Sequence, residues 1–385
     1  MSTRQPMIVG LDITGLGVYP NQTNPTVVTD VAHYLTIAQT AATALIDVVV
    51  LDDNRSATPR TASIDALSVA SRVAPQVSGI GFAVTKSVYF SEPFTVSREL
   101  ATLDFVSGGR AAWVVSAIND ADTARVFGQW DVLSADDTDA RMREYIDVSR
   151  KLWDSWEDDA VVMDAARGWY LNPHKLHHIN HRGEYFAIRG PSITYRPPQG
   201  HVVVIHSDEY VSDVVAAVDV ADVVVQHHTT LAQAREVYAQ QHARANAQGR
   251  AVRVLQRVVP VIADTTSEAY ARVAHLEKTA VQTHISSPHA QIMAGTVSQV
   301  ADQLALWFHQ RAADGFVLQL PDVTTDSESV SYQLMPELHR RQLSRTASAP
   351  TASLREVLQL ARPVNQYAGS PSEAFLAYES TGGQE

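Results

Sequence analysis

The sequence predicts an α/β fold, an eight-stranded parallel β/α (TIM) barrel, and three observations point to it. Eight short β-branched runs recur along the chain, each continuously apolar rather than alternating. Continuous apolar character is what parallel strands show when both faces are covered. Most of the intervals carry amphipathic segments of helix length, which is the strand–helix alternation of a barrel. No GxGxxG follows the first run. GLDITGLGVYP passes into Pro20 and Asn21 instead of opening a helix, so the dinucleotide fingerprint of an open doubly wound sheet is absent.

In order, the runs are MIVGLDI (7–13), DVVVLDD (47–53), GIGFAVT (79–85), AAWVVSA (111–117), HVVVIHS (201–207), DVVVQHH (222–228), VRVLQRVVPVIAD (252–264) and GFVLQLPDV (315–323). Helical patterns occupy 28–45, 63–76, 94–108, 140–158 and 229–249. Two intervals are enlarged. The stretch from about 160 to 200 contains Gly183 and the alternating EYFAIRG, and reads as an inserted hairpin. Residues 265–308 form a second enlargement, and 376–385 read as a frayed tail, so the whole chain is expected to be one barrel domain.

The 385 residues are 45% apolar and 19% charged, enough to bury a large core. Lys and Arg total 30 against 42 Asp and Glu, a net charge of −12, which argues against nucleic acid and anionic membrane surfaces as partners. The absence of cysteine removes disulfides, thiolate nucleophiles and iron–sulfur ligation, and fits a reducing cytoplasm. The N-terminus lacks a signal-like apolar region, and every long apolar stretch is cut by an Asp, so neither export nor a membrane span is expected.

Functional groups of such a barrel sit at the C-terminal ends of its strands. His206 ends the fifth run, and His227 and His228 end the sixth. A histidine there can donate a proton or anchor a carboxylate, because its ordinary pKa lies near neutrality; a rim histidine in a polar loop is the plainer alternative. Tyr89 and Phe90 follow the third run and are candidates to line a substrate pocket together with His228. His174, His177, His178 and His181 have helix-like metal spacing, but they lie in a turn-and-strand pattern, so no metal site is expected. Trp113, Trp153, Trp156 and Trp307 fall in registers that bury them.

The run SEPFTVSRELATLDFVSGGRAAW (91–113), followed by RVFG (125–128), LWDSWEDDA (152–160), HHINHRGEYFAIRGP (177–191) and RPPQG (196–200), resembles the bacterial luciferase-like flavin-dependent monooxygenases, specifically the branch of the nitrilotriacetate and dibenzothiophene-sulfone monooxygenases. AGTVSQVADQLALWF (294–308), MPELHRRQLSR (335–345) and SLREVLQLARP (353–363) resemble the closing motifs of the same family.

The resemblance implies a barrel that takes reduced FMN from a separate flavin reductase, adds O2 to it, and oxygenates a small organic substrate; His206 and His227, at strand ends, are the candidate catalytic groups, and a homodimer is the expected assembly. Carried over position by position, it implies flavin contacts from Asp53 and Thr85, with Ser116, His206 and Ser207 as further candidates. Three departures stand out. Ser116 lies one residue before the usual Thr of the fourth strand, and would point to the opposite face of a regular strand. The glycine-bearing phosphate loop after the fifth strand is replaced by His206-Ser207-Asp208-Glu209. Thr138 and Asp139 stand where some members place an Arg–Tyr pair on the phosphate. An acidic rim facing a phosphate would oppose binding, so the alternative is a luciferase-like barrel with a degenerate flavin site acting as a non-catalytic dimer partner.

Overall fold

A computed structural model of the chain describes residues 5–19, 25–52, 64–128, 132–210, 213–282 and 290–369. Eight parallel strands close on themselves: β1 (Ile8–Asp12), β2 (Val48–Leu51), β3 (Gly81–Ser87), β4 (Ala111–Ser116), β5 (Val203–Ser207), β6 (Val223–Gln226), β7 (Arg253–Ile262) and β8 (Gly315–Gln319). Each pairs with the next, β7 pairs directly with β8, and β8 returns to β1. All eight runs predicted from the sequence are the barrel strands.

Alternation sorts each strand into an inner and an outer set. Ile8, Val48, Ala83, Ala112, Val114, Val203, Ile205, Val223, Val225, Leu255 and Val317 form the inner cluster. Their neighbours, such as Val49, Phe82, Val84, Trp113, Val115, Val204, Phe316 and Leu318, pack outward against the helices. This explains why the runs read as continuously apolar: neither face meets water. The four tryptophans expected in the core are there, at 0% (Trp113), 1% (Trp153), 8% (Trp156) and 8% (Trp307) exposure.

The lower end of the barrel is closed by the segment around the short helix Leu354–Val357, whose Leu354, Leu358 and Leu360 join the inner cluster. Gly81 makes room for it, since a Cβ there would lie 2.7 Å from Leu354 Cδ1. Arg355 fixes the plug by donating to the Asp222 carboxylate at 2.8 Å and to the His201 carbonyl at 2.9 Å.

The inserted stretch holds two short antiparallel hairpins, Val161–Asp164 with Trp169–Leu171, and His181–Arg182 with Ala187–Ile188. The second is tied to the long helix Ala135–Asp154 by Glu144, whose carboxylate accepts from the peptide N–H groups of Glu184, Tyr185 and Phe186. The second enlargement contains the helix Thr266–Gln282, a strand Gln291–Gly295 and the helix Val297–His309. That strand pairs with Val258–Ile262, the part of β7 that outruns the ring. No helix among the described residues is long and apolar enough to cross a membrane.

Candidate functional site in the barrel mouth

At the C-terminal ends of the strands the inner register changes from apolar to polar. Asp12, Asp52, Thr85, Ser207, Arg257 and Gln319 line a small cavity over Val50, Val114, Val225 and Val317, and Glu209 and Tyr210 from the loop after β5 complete it. Its free volume is about 40 Å³. Two walls are tied by charge. Arg257, only 2% exposed, donates to Ser207 Oγ and pairs with Asp208 at 2.9 Å and Glu209 at 3.5 Å. Asp208 also accepts from the His227 peptide N–H at 2.7 Å. Across the mouth the Tyr210 hydroxyl donates to the Asp52 carboxylate, and Gln319 Nε2 donates to Asp12 at 3.2 Å.

Thr85 is 1% exposed and lines the mouth. Its Oγ1, like Gln319 Oε1, is buried without a hydrogen-bond partner among the described residues. Two orphaned polar atoms lining one cavity are what a ligand with a polar edge would satisfy. Ser207 is also in the mouth. Asp53 lies outside the described residues, but its neighbour Asp52 ends the second strand facing the cavity.

His206 requires a correction. Its register on β5 puts it on the outer face with Val204, 1% exposed and with both ring nitrogens without a hydrogen-bond partner among the described residues. Burial, then the nearby Arg143, Arg150 and Arg250, push its pKa down to about 3 against the opposing pull of Asp222. A neutral imidazole facing away from the mouth contacts neither flavin nor substrate there. Ser116 lies two residues beyond the inward Val114, opposite Ser87 in an unbulged register, and is fully buried at the strand end without lining the cavity.

Tyr89 is buried, edge-on to Phe90 at 4.8 Å and under the Arg141 guanidinium at 5.4 Å; Phe90 stacks on Phe127 at 4.3 Å. These rings form a cluster on the loops after β3 and β4, and none of them lines the cavity. His227 and His228 stand just past β6. Burial lowers the His228 pKa, with Asp208 opposing. The histidines of the inserted hairpins diverge: His177 contacts Glu157, His178 the Gly190 carbonyl, and His181 Glu144.

The acidic rim expected from Asp208-Glu209 therefore has a cation on it. Arg257 lay in plain sight in VLQRVVPV as a lone charge in an apolar strand, two residues after the inward Leu255. Beside the mouth lies a second cavity of about 320 Å³, lined by Asn119, Thr138, Asp139, Met142 and Tyr210. Tyr210 is the wall the two cavities share.

The polar groups of the mouth fit a flavin ring edge, while its free volume of about 40 Å³ lies well below the roughly 300–1,000 Å³ typical of ligand pockets.

Residues 14–341 match the family model for luciferase-like monooxygenases. The chain is 31% identical to nitrilotriacetate monooxygenase component A of Aminobacter aminovorans, covering 91% of this chain and 94% of that one. It is 27% identical to the dibenzothiophene-sulfone monooxygenase of Rhodococcus erythropolis, covering 80% and 82%. Among solved structures, the EDTA monooxygenase of Chelativorans sp. BNC1 superposes with a TM-score of 0.80 at 26% identity, over 93% of this chain and 99% of that one. The motifs, the closed barrel and the polar mouth thus have one common explanation: this chain belongs to the luciferase-like monooxygenase family.

Proposed function

We propose that the chain is the oxygenase of a two-component, FMN-dependent monooxygenase acting on a small organic substrate in the cytoplasm, with reduced FMN supplied by a separate reductase and the barrel assembled as a homodimer. The observation that carries this reading is the full-length similarity to nitrilotriacetate monooxygenase component A, at 31% identity over nine-tenths of both chains. Reduced FMN, when bound, supplies two electrons to O2, so that one oxygen atom enters the substrate and the other leaves as water.

The protein's own share is positioning and exclusion of water. Thr85 and Gln319 offer their unpartnered oxygens to a polar ring edge. Ser207 and Arg257 line the same cavity as donors, and Val50, Val114, Val225 and Val317 make an apolar floor. Asp53 belongs to the same reading as a contact at the end of the second strand. In this reading His227 and His228, just past β6, are candidates to meet substrate from the rim. The degenerate-site alternative drew its force from uncompensated carboxylates, and the Arg257 pairings take that force away.

Anaerobic titration with reduced FMN, followed by admission of air, tests the proposal. Bound flavin should oxidise more slowly than free flavin. Oxidation at the free rate with high micromolar protein present overturns it.

A further inference from the structure

We propose that Arg257 is an oxyanion receptor in the barrel mouth, and that the Glu209 carboxylate is a resident, displaceable occupant of it. The receptor would take a phosphate or carboxylate group carried by the ligand. For the phosphate of a flavin this deepens the function proposed above and rests on it.

Three observations converge. Arg257 is among the largest fully buried side chains of the protein, yet it stands in the inward register of β7 and lines the cavity, so its cost of burial is met at the barrel mouth rather than in a sealed core. Two carboxylates share this one guanidinium, Asp208 at 2.9 Å and Glu209 at 3.5 Å. They are not equivalent. Asp208 is anchored a second time by the His227 peptide N–H at 2.7 Å, whereas the Glu209 carboxylate has Arg257 alone among the described residues, lies farther from it, lines the cavity, and keeps 23% of its side chain exposed.

A planar guanidinium fork matches carboxylate and phosphate oxygens in pairs. An incoming oxyanion can therefore take the place of Glu209 with the number of ion pairs conserved, while Asp208 stays. With Glu209 in place, the same anion meets a like charge. Glu209 is in this sense an internal competitor that sets how strongly the mouth selects anions.

Glu209→Gln tests this, since the position is partly exposed and the amide keeps the shape. Thermal shift with inorganic phosphate and with succinate as probes should show apparent dissociation constants about fivefold tighter in the variant than in the wild type for at least one anion. Quenching of oxidised flavin fluorescence separates the sources. If the receptor takes the flavin phosphate, FMN tightens about tenfold while riboflavin changes less than about twofold. If it takes a substrate carboxylate, succinate gains while FMN and riboflavin move together. Failure of both anions to gain affinity in Glu209→Gln overturns the receptor. Absence of quenching of either flavin by either protein overturns the flavin reading instead, and the phosphate and succinate measurements still decide the role of Arg257.

Discussion

Tyr210 and Asp52, 158 positions apart in the chain, meet over the open end of the barrel through a hydroxyl-to-carboxylate hydrogen bond. The bond joins the loop after β5 to the end of β2 and holds the tyrosine ring between the mouth and the side cavity. Tyr210→Phe removes the bond and keeps the ring. A bond to a charged acceptor is worth about 1.5–3 kcal/mol, part of which water recovers at this partly exposed site. Flavin affinity, read by fluorescence quenching, should rise about threefold to tenfold as the wall loosens. An unchanged affinity would show that Tyr210 does not restrict entry.

His206 makes stability depend on pH. Its folded-state pKa of about 3 lies below its ordinary 6.5, so the unfolded chain takes up a proton below pH 6.5 that the folded chain refuses. The cost grows as pH falls through that window and levels off near pH 3. At pH 5 it amounts to about 2 kcal/mol. His206→Leu should be relatively more stable at pH 5 than at pH 8 by about that amount, measured by urea unfolding at both values. Equal offsets at the two pH values would refute the assignment.

Arg355 holds the plug. Burial would push the Asp222 carboxyl up, yet Arg355 and Arg150 hold it at about 2. Arg355→Met leaves that buried carboxylate without its closest cation and should cost about 3–5 kcal/mol. The urea midpoint reports it directly, and a loss below about 1 kcal/mol would mean that Arg150 suffices.

Gly183 is a packing requirement of the second hairpin. A Cβ there would lie 2.0 Å from Glu144 Oε1, the oxygen that accepts from Phe186 N–H and contacts His181. Gly183→Ala should destabilise by about 1–3 kcal/mol through displacement of that carboxylate. In the Glu144→Ala background the alanine should cost much less, a coupling that a double-mutant cycle measures.

The strands were legible because parallel barrel strands are covered on both sides, and that same property hid the site. In HVVVIHS both Val204 and Ile205 are buried, so nothing in the pattern says whether His206 or Ser207 faces inward. Parity comes only from the pairing of β5 with β4, where Ile205 lies beside Val114 and His206 beside Val115. Thr85 was legible because it is carried by a motif. Gln319, Asp12 and Tyr210 were not, because each acquires its meaning from a partner far away in sequence, as in the bond of Gln319 to Asp12 across 307 positions.

The leucines that stop the lower end of the ring come after its last strand in the chain. During synthesis, then, the ring cannot be filled until the segment around residues 354–360 has left the ribosome. Leu354, Leu358 and Leu360 are the last to arrive, and the nascent barrel keeps an apolar opening until they do.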